Sequence, residues 1–434
     1  MSFQLGDYVF SNNKLDINTN AMKYYGVTPI RSECVTGIAC DTCLAKFNIK
    51  FLHVPGDVYL GGFFNVHHPG RTAYSCGDMK DFNGFQFTEA MAYAVDLVNK
   101  GNGPVRLNGV KLGAIGLDDC SNSYFAKNLA TGIHSGSLKL TKDGVTVNHD
   151  KIQSWLTYGS GMSVQIAQIL NALQMPQISP SATSTTLSNV AAYPAFYRTV
   201  PSDKKQVAAM AKLASMMKWT CVQTVHEPSV YGRTAIIDFK AAARKERICV
   251  SACYELTKDG SYNDIVQKLS ESSTKAVIVF ARSDSYARHL LAAKAANSNA
   301  TGLVLIASES WGNLKSVIKG HENAAEGFIT FKVNAPVLNE FNTYMGNLKP
   351  TQNKRNPWFD EYYQQLYQCN LPGGYKYQRS CVNPGSTPVT SSNNYEQENW
   401  VVPTVDAVFA FTQALDGVLK DVCGSTYSGK PCLH

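Results

Sequence analysis

Short apolar runs alternate with helical runs along most of the 434-residue chain, and this alternation limits the possible folds more than any other feature. The runs "KAVIVFA" (275–281) and "GLVLIA" (302–307) are apolar throughout, as expected for parallel strands that helices cover on both faces. Helical runs such as "SYARHLLAAKAAN" separate them. The pattern predicts repeated βα units and therefore an α/β fold.

The βα pattern occurs in two successive sets, the second of which begins near residue 204. Two sets predict two doubly wound lobes, and ligands of such sheets bind beyond the carboxyl ends of the strands. We therefore expect a ligand cleft between the lobes. A last helix, in "PTVDAVFAFTQALDGVLKDVC", has a spacing that places one apolar stripe against a core. The stripe consists of Val405, Val408, Phe411, Leu415, Leu419 and Val422.

Composition narrows the class of protein. Hydrophobic residues make up 44% and charged residues 17%, as in an ordinary globular chain. The net charge of +7 is dispersed, so we expect no nucleic-acid partner. No apolar run reaches the roughly 18 to 20 residues of a membrane span, and the first ten residues do not resemble a signal peptide.

Cysteine usage indicates an oxidising compartment, because twelve cysteines are unusual in a cytosolic chain. The sequence Asn299-Ala-Thr301 also fits the glycosylation rule. Secretory cysteines without a secretory signal predict that the chain is a fragment of a longer protein.

Motifs of catalysis are not found in the sequence. It contains no nucleophile elbow, no phosphate-binding glycine loop and no zinc-protease helix, so we expect neither an enzyme nor a cofactor. Cys40 and Cys43 have the spacing of a zinc or redox pair but no second pair, which favours disulfide bonding. The pair His67-His68 precedes Pro-Gly and is interpreted as a solvated turn rather than a metal site. No metal is expected.

The segment "QISPSATSTTLSN" (177–189) is unusually rich in hydroxyl side chains. Ser181, Thr183 and Ser184 can simply cap a helix that begins at "TTLSN". The same geometry also suits a ligand carboxylate, because free backbone N–H groups and hydroxyls meet at a helix start. Ser160, in "YGSGMS", begins another helix in the same way. Both interpretations remain open at this point.

Nine segments, in order, resemble the extracellular ligand-binding domain of class C G-protein-coupled receptors, and in particular the metabotropic glutamate receptor group. They include "GDVYLGGFFNVHHPG", "NGFQFTEAMAYAVDLVN", "VKLGAIGLDDCS", "MPQISPSATSTTLSN" and "NPWFDEYYQQLYQCNLPG". The resemblance implies two doubly wound lobes of the type I periplasmic-binding-protein kind, which close on a free amino acid. It also implies a homodimer formed through lobe 1 and a G-protein partner reached through a membrane domain that this chain lacks.

This resemblance sets the expected domain boundaries. Residues 51–203 and 335–434 are assigned to lobe 1 and residues 204–334 to lobe 2, whereas residues 1–50 are unassigned. The chain is expected to stop before the last part of lobe 2, before a cysteine-rich domain and before the seven membrane helices. Its place would be the extracellular side of the cell membrane.

Carried over from the family, the pocket for the α-carboxylate and α-amine falls on six residues. They are Ser160, Ser181, Thr183, Asp203, Tyr231 and Glu309. The hydroxyls suit a carboxylate, the two acidic groups suit an ammonium, and the tyrosine ring can cover that ammonium.

The distal part of the pocket departs from the family. Glutamate receptors have an arginine and a lysine that hold the side-chain carboxylate, but those positions are Phe87 and Trp400 here. A buried carboxylate without a cation costs several kcal/mol. We therefore expect an apolar, aromatic or otherwise non-acidic amino acid, unless Arg282 compensates.

The resemblance also implies disulfides between Cys76 and Cys120, Cys369 and Cys381, and Cys423 and Cys432. Cys249 matches a cysteine that the family bonds to the next domain. No cysteine lies between 121 and 220, so the family's inter-subunit disulfide is not expected. The alternative function is a bilobed amino-acid-binding protein without G-protein output.

Overall fold

The computed structural model describes residues 8–11, 14–17, 49–72, 74–80, 84–257, 260–282, 286–391 and 395–428. Cys34, Cys40, Cys43 and Cys432 therefore lie outside the described residues. The strands are β1 (Tyr8–Ser11), β2 (Lys14–Ile17), β3 (Phe51–Val54), β4 (Val58–Phe64), β5 (His67–Pro69), β6 (Cys76–Met79), β7 (Leu112–Asp118), β8 (Thr141–Lys142), β9 (Val145–Thr146), β10 (Ile152–Thr157), β11 (Gln177–Ser179), β12 (Phe196–Arg198), β13 (Cys221–His226), β14 (Cys249–Glu255), β15 (Ala276–Phe280), β16 (Val304–Ala307) and β17 (Ile329–Thr330).

Helices connect most of these strands. They are α1 (Gly84–Asn99), α2 (Ser123–His134), α3 (Ser160–Ala172), α4 (Asp203–Met216), α5 (Val230–Lys245), α6 (Tyr262–Glu271), α7 (Arg288–Ala296), α8 (Lys315–Ile318), α9 (Asn339–Asn347), α10 (Phe359–Tyr367) and α11 (Val401–Cys423).

The first lobe is built on a six-stranded sheet in the order β12-β11-β10-β4-β7-β3. All neighbours run parallel except β3, which pairs antiparallel with β7 at one edge. Both β4 and β7 are buried along their whole length, which explains their apolar sequences. In register, Phe63 pairs with Thr157 and Phe64 with Asp118, so the carboxyl ends of β10, β4 and β7 are level.

The second lobe is built on a parallel five-stranded sheet in the order β14-β13-β15-β16-β17. Every residue of β15, the run recognised as a strand in the sequence, is buried. Two doubly wound α/β lobes were predicted, and this prediction is confirmed. The boundaries near residues 203 and 334 stay a prediction.

Helix α11 is long and apolar enough, by length and composition, to cross a membrane, which the sequence analysis did not anticipate. Half of its most apolar window is nevertheless buried, and Val408 lies in one cluster with Leu60 of β4 and Met91 of α1. This is the pattern of a core helix. The predicted stripe faces that core except at Val422, which is 74% exposed.

His67 corrects the prediction of a solvated turn. Its ring is buried, whereas His68 is exposed. Nδ1 of His67 bonds Asp118 at the end of β7, and Nε2 lies 3.1 Å from Oε2 of Glu361 on α10. This contact could not be predicted from the sequence, because Glu361 is 294 residues away from His67.

Disulfides join Cys76 to Cys120 and Cys369 to Cys381, the two pairs implied by the resemblance. Cys423 is also disulfide-bonded, but Cys432 lies outside the described residues. The prediction for Cys249 is wrong, because it bonds Cys221. Strands β13 and β14 are parallel neighbours, and their register places these two cysteines side by side.

We predict that His67→Gln destabilises the chain in a pH-dependent way. Burial lowers the pKa of His67, but the hydrogen bonds to Asp118 and Glu361 outweigh burial and raise the pKa from 6.5 to about 9. The pKa is higher in the folded chain, so the stabilisation is complete below about pH 6.5 and is lost as the pH rises through about 9.

The variant should therefore lose roughly 2–3 kcal/mol of unfolding free energy at pH 6 and much less at pH 9.5. Denaturant unfolding at both pH values measures the difference, with the exposed neighbour His68→Gln as the control. An equal loss at both pH values would contradict a charged His67.

Candidate functional site

A cleft of about 460 Å³ lies where the carboxyl ends of strands from both sheets meet. Its lining includes six of the eight residues predicted as ligand-binding. They are Ser160, Ser181, Phe87 and Trp400 from the first lobe, and Tyr231 and Glu309 from the second lobe. Thr183 and Asp203 do not line it but lie behind its wall.

The start of α3 forms one part of the wall. Gly159, which precedes the helix, has φ +74°, a conformation that favours glycine, and no side chain of the described residues caps the helix here. The first N–H groups of a helix have no partner within the helix and carry partial positive charge. Gly159, Ser160, Gly161 and Met162 all line the cleft. This helix start can therefore accept an anionic group.

The hydroxyl-rich segment is attached to this helix start. The backbone N–H of Gly159 donates to Oγ of Ser181 at 2.9 Å, and that of Ser184 donates to Oγ of Ser160 at 3.0 Å. The predicted helix at "TTLSN" is a short 3₁₀ turn, Thr185–Ser188, whose cap is Ser184 rather than Ser181 or Thr183. Ser181 therefore does not cap this turn, and it lines the cleft.

Glu309 and Tyr231 form the opposite wall. Glu309 follows β16 and is only 7% exposed. The Tyr231 hydroxyl donates to its Oε2 at 3.0 Å, and the Thr183 hydroxyl donates to its Oε1 at 3.4 Å. The second of these bonds connects the two lobes. The arrangement holds one buried carboxylate against the cleft.

Behind Glu309 lies Asp203, the first residue of α4, which is 1% exposed. Its N–H donates to the Thr183 carbonyl at 2.8 Å. Gln206 was missed by the sequence analysis: its Nε2 donates to Oδ1 of Asp203 at 3.1 Å and also to Glu309. Burial and then the charge of Glu309 raise the pKa of Asp203 well above its ordinary value, and burial raises the pKa of Glu309. The lobes therefore enclose two buried carboxyl groups, Asp203 and Glu309, and simultaneous ionisation of both is unfavourable.

Aromatic rings line the middle of the cleft. Phe87 stacks on Tyr158 with ring centroids 4.6 Å apart, and Trp400 directly precedes α11. Arg282, considered as a possible partner for an acidic ligand, donates its backbone N–H and its Nε to Oε2 of Glu227, at 2.8 and 3.1 Å. Its charge is therefore compensated within the second lobe.

Asn65, Asp119 and Glu227 also line the cleft but were not predicted from the sequence. Each directly follows a strand, β4, β7 and β13 respectively. A polar residue immediately after an apolar strand was the signal available for all three.

Comparison with known proteins identifies the family. The sequence profile described as "Receptor family ligand binding region" matches residues 86–432. The chain belongs to this family. It is also 32% identical, over 408 residues, to a metabotropic glutamate receptor of Drosophila melanogaster. That alignment covers 86% of this receptor ligand-binding region but only 41% of the relative's length. The recognition of a class C receptor region from sequence is confirmed.

For this receptor region, we predict that Asp203→Asn stabilises the ligand-free chain at alkaline pH. The pKa of Asp203 is higher in the folded chain, so the carboxyl group destabilises the fold increasingly as the pH rises above its ordinary pKa of 3.8, and this penalty vanishes below that pH, where both states are protonated. The variant should gain roughly 1–2 kcal/mol at pH 8 and little at about pH 3.

Thermal unfolding at both pH values checks this, with the exposed Asp421→Asn on α11 as the control. A variant that is less stable than the parent at pH 8 would show that the Asp203 carboxylate is stabilising instead.

Proposed function

We propose that this chain is the amino-acid-binding part of a class C receptor and that its two lobes close on a free amino acid. The observation that carries the proposal is the pairing of opposite walls: an uncapped helix start at Ser160 faces a cleft that also contains the carboxylate of Glu309. A zwitterion presents both matching charges. Ser160 and Ser181 would hold the α-carboxylate, and Glu309 and Tyr231 the α-ammonium, with Thr183 and Asp203 supporting Glu309.

Closure follows from the division of these groups between lobes. Only the closed state lets one ligand contact both walls, so the ligand selects that state. Direct contacts assist it: Ser184 and Thr234 lie 2.8 Å apart at their hydroxyl oxygens, and Thr185 donates to Asp238 at 2.5 Å. Both bonds connect the first lobe to α5 of the second.

The wider setting is proposed from the family. The lobes would comprise residues 51–203 with 335–434, and residues 204–334. The receptor would act as a homodimer through its first lobe on the extracellular side of the cell membrane and signal through a G protein. Asn299 is exposed in a short turn and is available for glycosylation. The alternative, a bilobed binding protein without G-protein output, has no specific observation in its favour.

The test of the proposal is an amino-acid screen on the 434-residue chain. Thermal shift against the twenty amino acids should identify at least one stabilising ligand, and Glu309→Gln should weaken its affinity by roughly 10- to 150-fold, because a charge-assisted partner is lost. The exposed Glu326→Gln on the same lobe serves as the control. Lack of binding by all twenty, or equal binding to the Glu309 variant, would refute the α-amine site.

The second prediction from this function concerns glutamate. Phe87 and Trp400 offer apolar contacts and no charge, so phenylalanine should bind at least about 30-fold more tightly than glutamate. The double variant Phe87→Arg with Trp400→Lys should reduce or reverse that ratio. Titration calorimetry of both proteins with both amino acids measures it. Glutamate preference in the parent chain would show that another cation receives the acid.

A further inference from the structure

Two hydrogen-bond acceptors at one end of the cleft have no donor among the described residues: Oδ1 of Asn65 and Oδ2 of Asp119. Both residues line the cleft. Asn65 follows β4 and Asp119 follows β7, and the last residues of these strands, Phe64 and Asp118, are register partners. The Asp119 N–H donates to the Phe64 carbonyl at 2.8 Å, which places the two residues side by side.

The position of Asp119 is determined by its other bonds. Asp119 is only 1% exposed, and its Oδ1 accepts a hydrogen bond from the backbone N–H of Ser121 at 2.7 Å. Oδ2 is left over. A buried acceptor without a donor costs about 1–3 kcal/mol, and native proteins contain few of them. Two of them next to each other in a cleft indicate a bound group that donates.

The charges of the cleft point to a cation. Its lining carries three carboxylates, Asp119, Glu227 and Glu309, and two guanidinium groups, Arg233 and Arg282. Arg282 is paired with Glu227, and Arg233 donates to both carboxylate oxygens of Glu255 at 2.6 and 2.8 Å.

The carboxylates that remain are Glu309, already proposed for the α-ammonium, and Asp119. Burial and the charge of Asp118 raise the pKa of Asp119 to about 7, although Ser121, Lys80 and Arg282 act in the opposite direction. A cation at Oδ2 would relieve this penalty.

Sheet geometry sets the length of the ligand. Ser160 follows β10, and β4 lies between β10 and β7. Neighbouring strands are about 4.8 Å apart, so the groups at the ends of β10 and β7 are separated by roughly 10 Å. An extended lysine side chain of about 6 Å, with a hydrogen bond of about 2.9 Å at each end, reaches about 12 Å and is therefore long enough to bridge that distance. Phe87 and Tyr158 line the path and would pack against its methylene groups.

We propose that the ligand is a basic amino acid of lysine or arginine length, whose side-chain cation donates to Oδ2 of Asp119 and Oδ1 of Asn65. This inference rests on the proposed function, because it takes the α-groups to lie between Ser160 and Glu309. It narrows the non-acidic class expected from Phe87 and Trp400 to its cationic members.

The test compares L-lysine with L-norleucine, which has the same chain length and no ammonium group, by calorimetry on the full chain. Lysine should bind at least about 10-fold more tightly than norleucine. Asp119→Asn keeps the shape and should bring the ratio close to one by weakening lysine binding. Asn65→Leu should reduce it by a smaller factor of about 3. Exposed Asp421→Asn is the control and should leave the ratio unchanged.

The outcomes separate this inference from the proposed function. Norleucine or another neutral amino acid binding as tightly as lysine would overturn the inference and leave the proposed function intact. Failure of every amino acid to bind would overturn both. A lysine preference that persists in both variants would place the cation elsewhere and overturn the inference. If Asp119→Asn does not fold, as judged by circular dichroism, Asn65→Leu decides the result.

Discussion

The shared direction of the parallel strands is the constraint on which the cleft depends. Five of the six strands in the first sheet are parallel, as is every strand of the second sheet, so each sheet presents its carboxyl ends on one edge. Residues far apart in sequence are brought together at these level strand ends: Asn65 and Asp119 directly follow β4 and β7, and Ser160 begins the helix that follows β10. The site is thus a consequence of strand polarity, and the helices stabilise it by covering the sheets.

The cleft concentrates groups that are unfavourable in an empty protein. Asp119, Asp203 and Glu309 are all buried carboxyl groups whose pKa is raised. A fully optimised core would avoid them, because burial penalises the charged form. Their presence beside an uncapped helix start is consistent with a ligand that supplies the missing charges. Under the proposed function, a ligand that offsets this penalty would favour the closed state.

Outside the cleft, the first lobe also contains buried ionisable side chains that are hydrogen-bonded to a partner of opposite charge. His67 lies between Asp118 and Glu361, two carboxylates from separate elements, whose hydrogen bonds raise its pKa to about 9. Asp118 is adjacent to Asp119 in sequence, yet its carboxylate accepts from His67 and from the backbone N–H groups of Val66 and Cys120. One carboxylate of the pair stabilises the fold, and its neighbour remains available to the cleft.

The sequence alone determined the class of fold, because apolar strands buried on both faces and their helical connections leave a periodic signal in neighbouring residues. It also determined the family, and it located six lining residues of the cleft through the resemblance. Tertiary structure decided the rest: that Cys249 bonds Cys221, that His67 is buried, and that Thr183 and Asp203 stand behind Glu309. It also decided that Asn65 and Asp119 meet without a donor. Each of these facts depends on the register of adjacent strands or on contacts between residues that are far apart in the sequence. Local periodicity carries no information about such pairings, so they emerge only when the sheets are assembled.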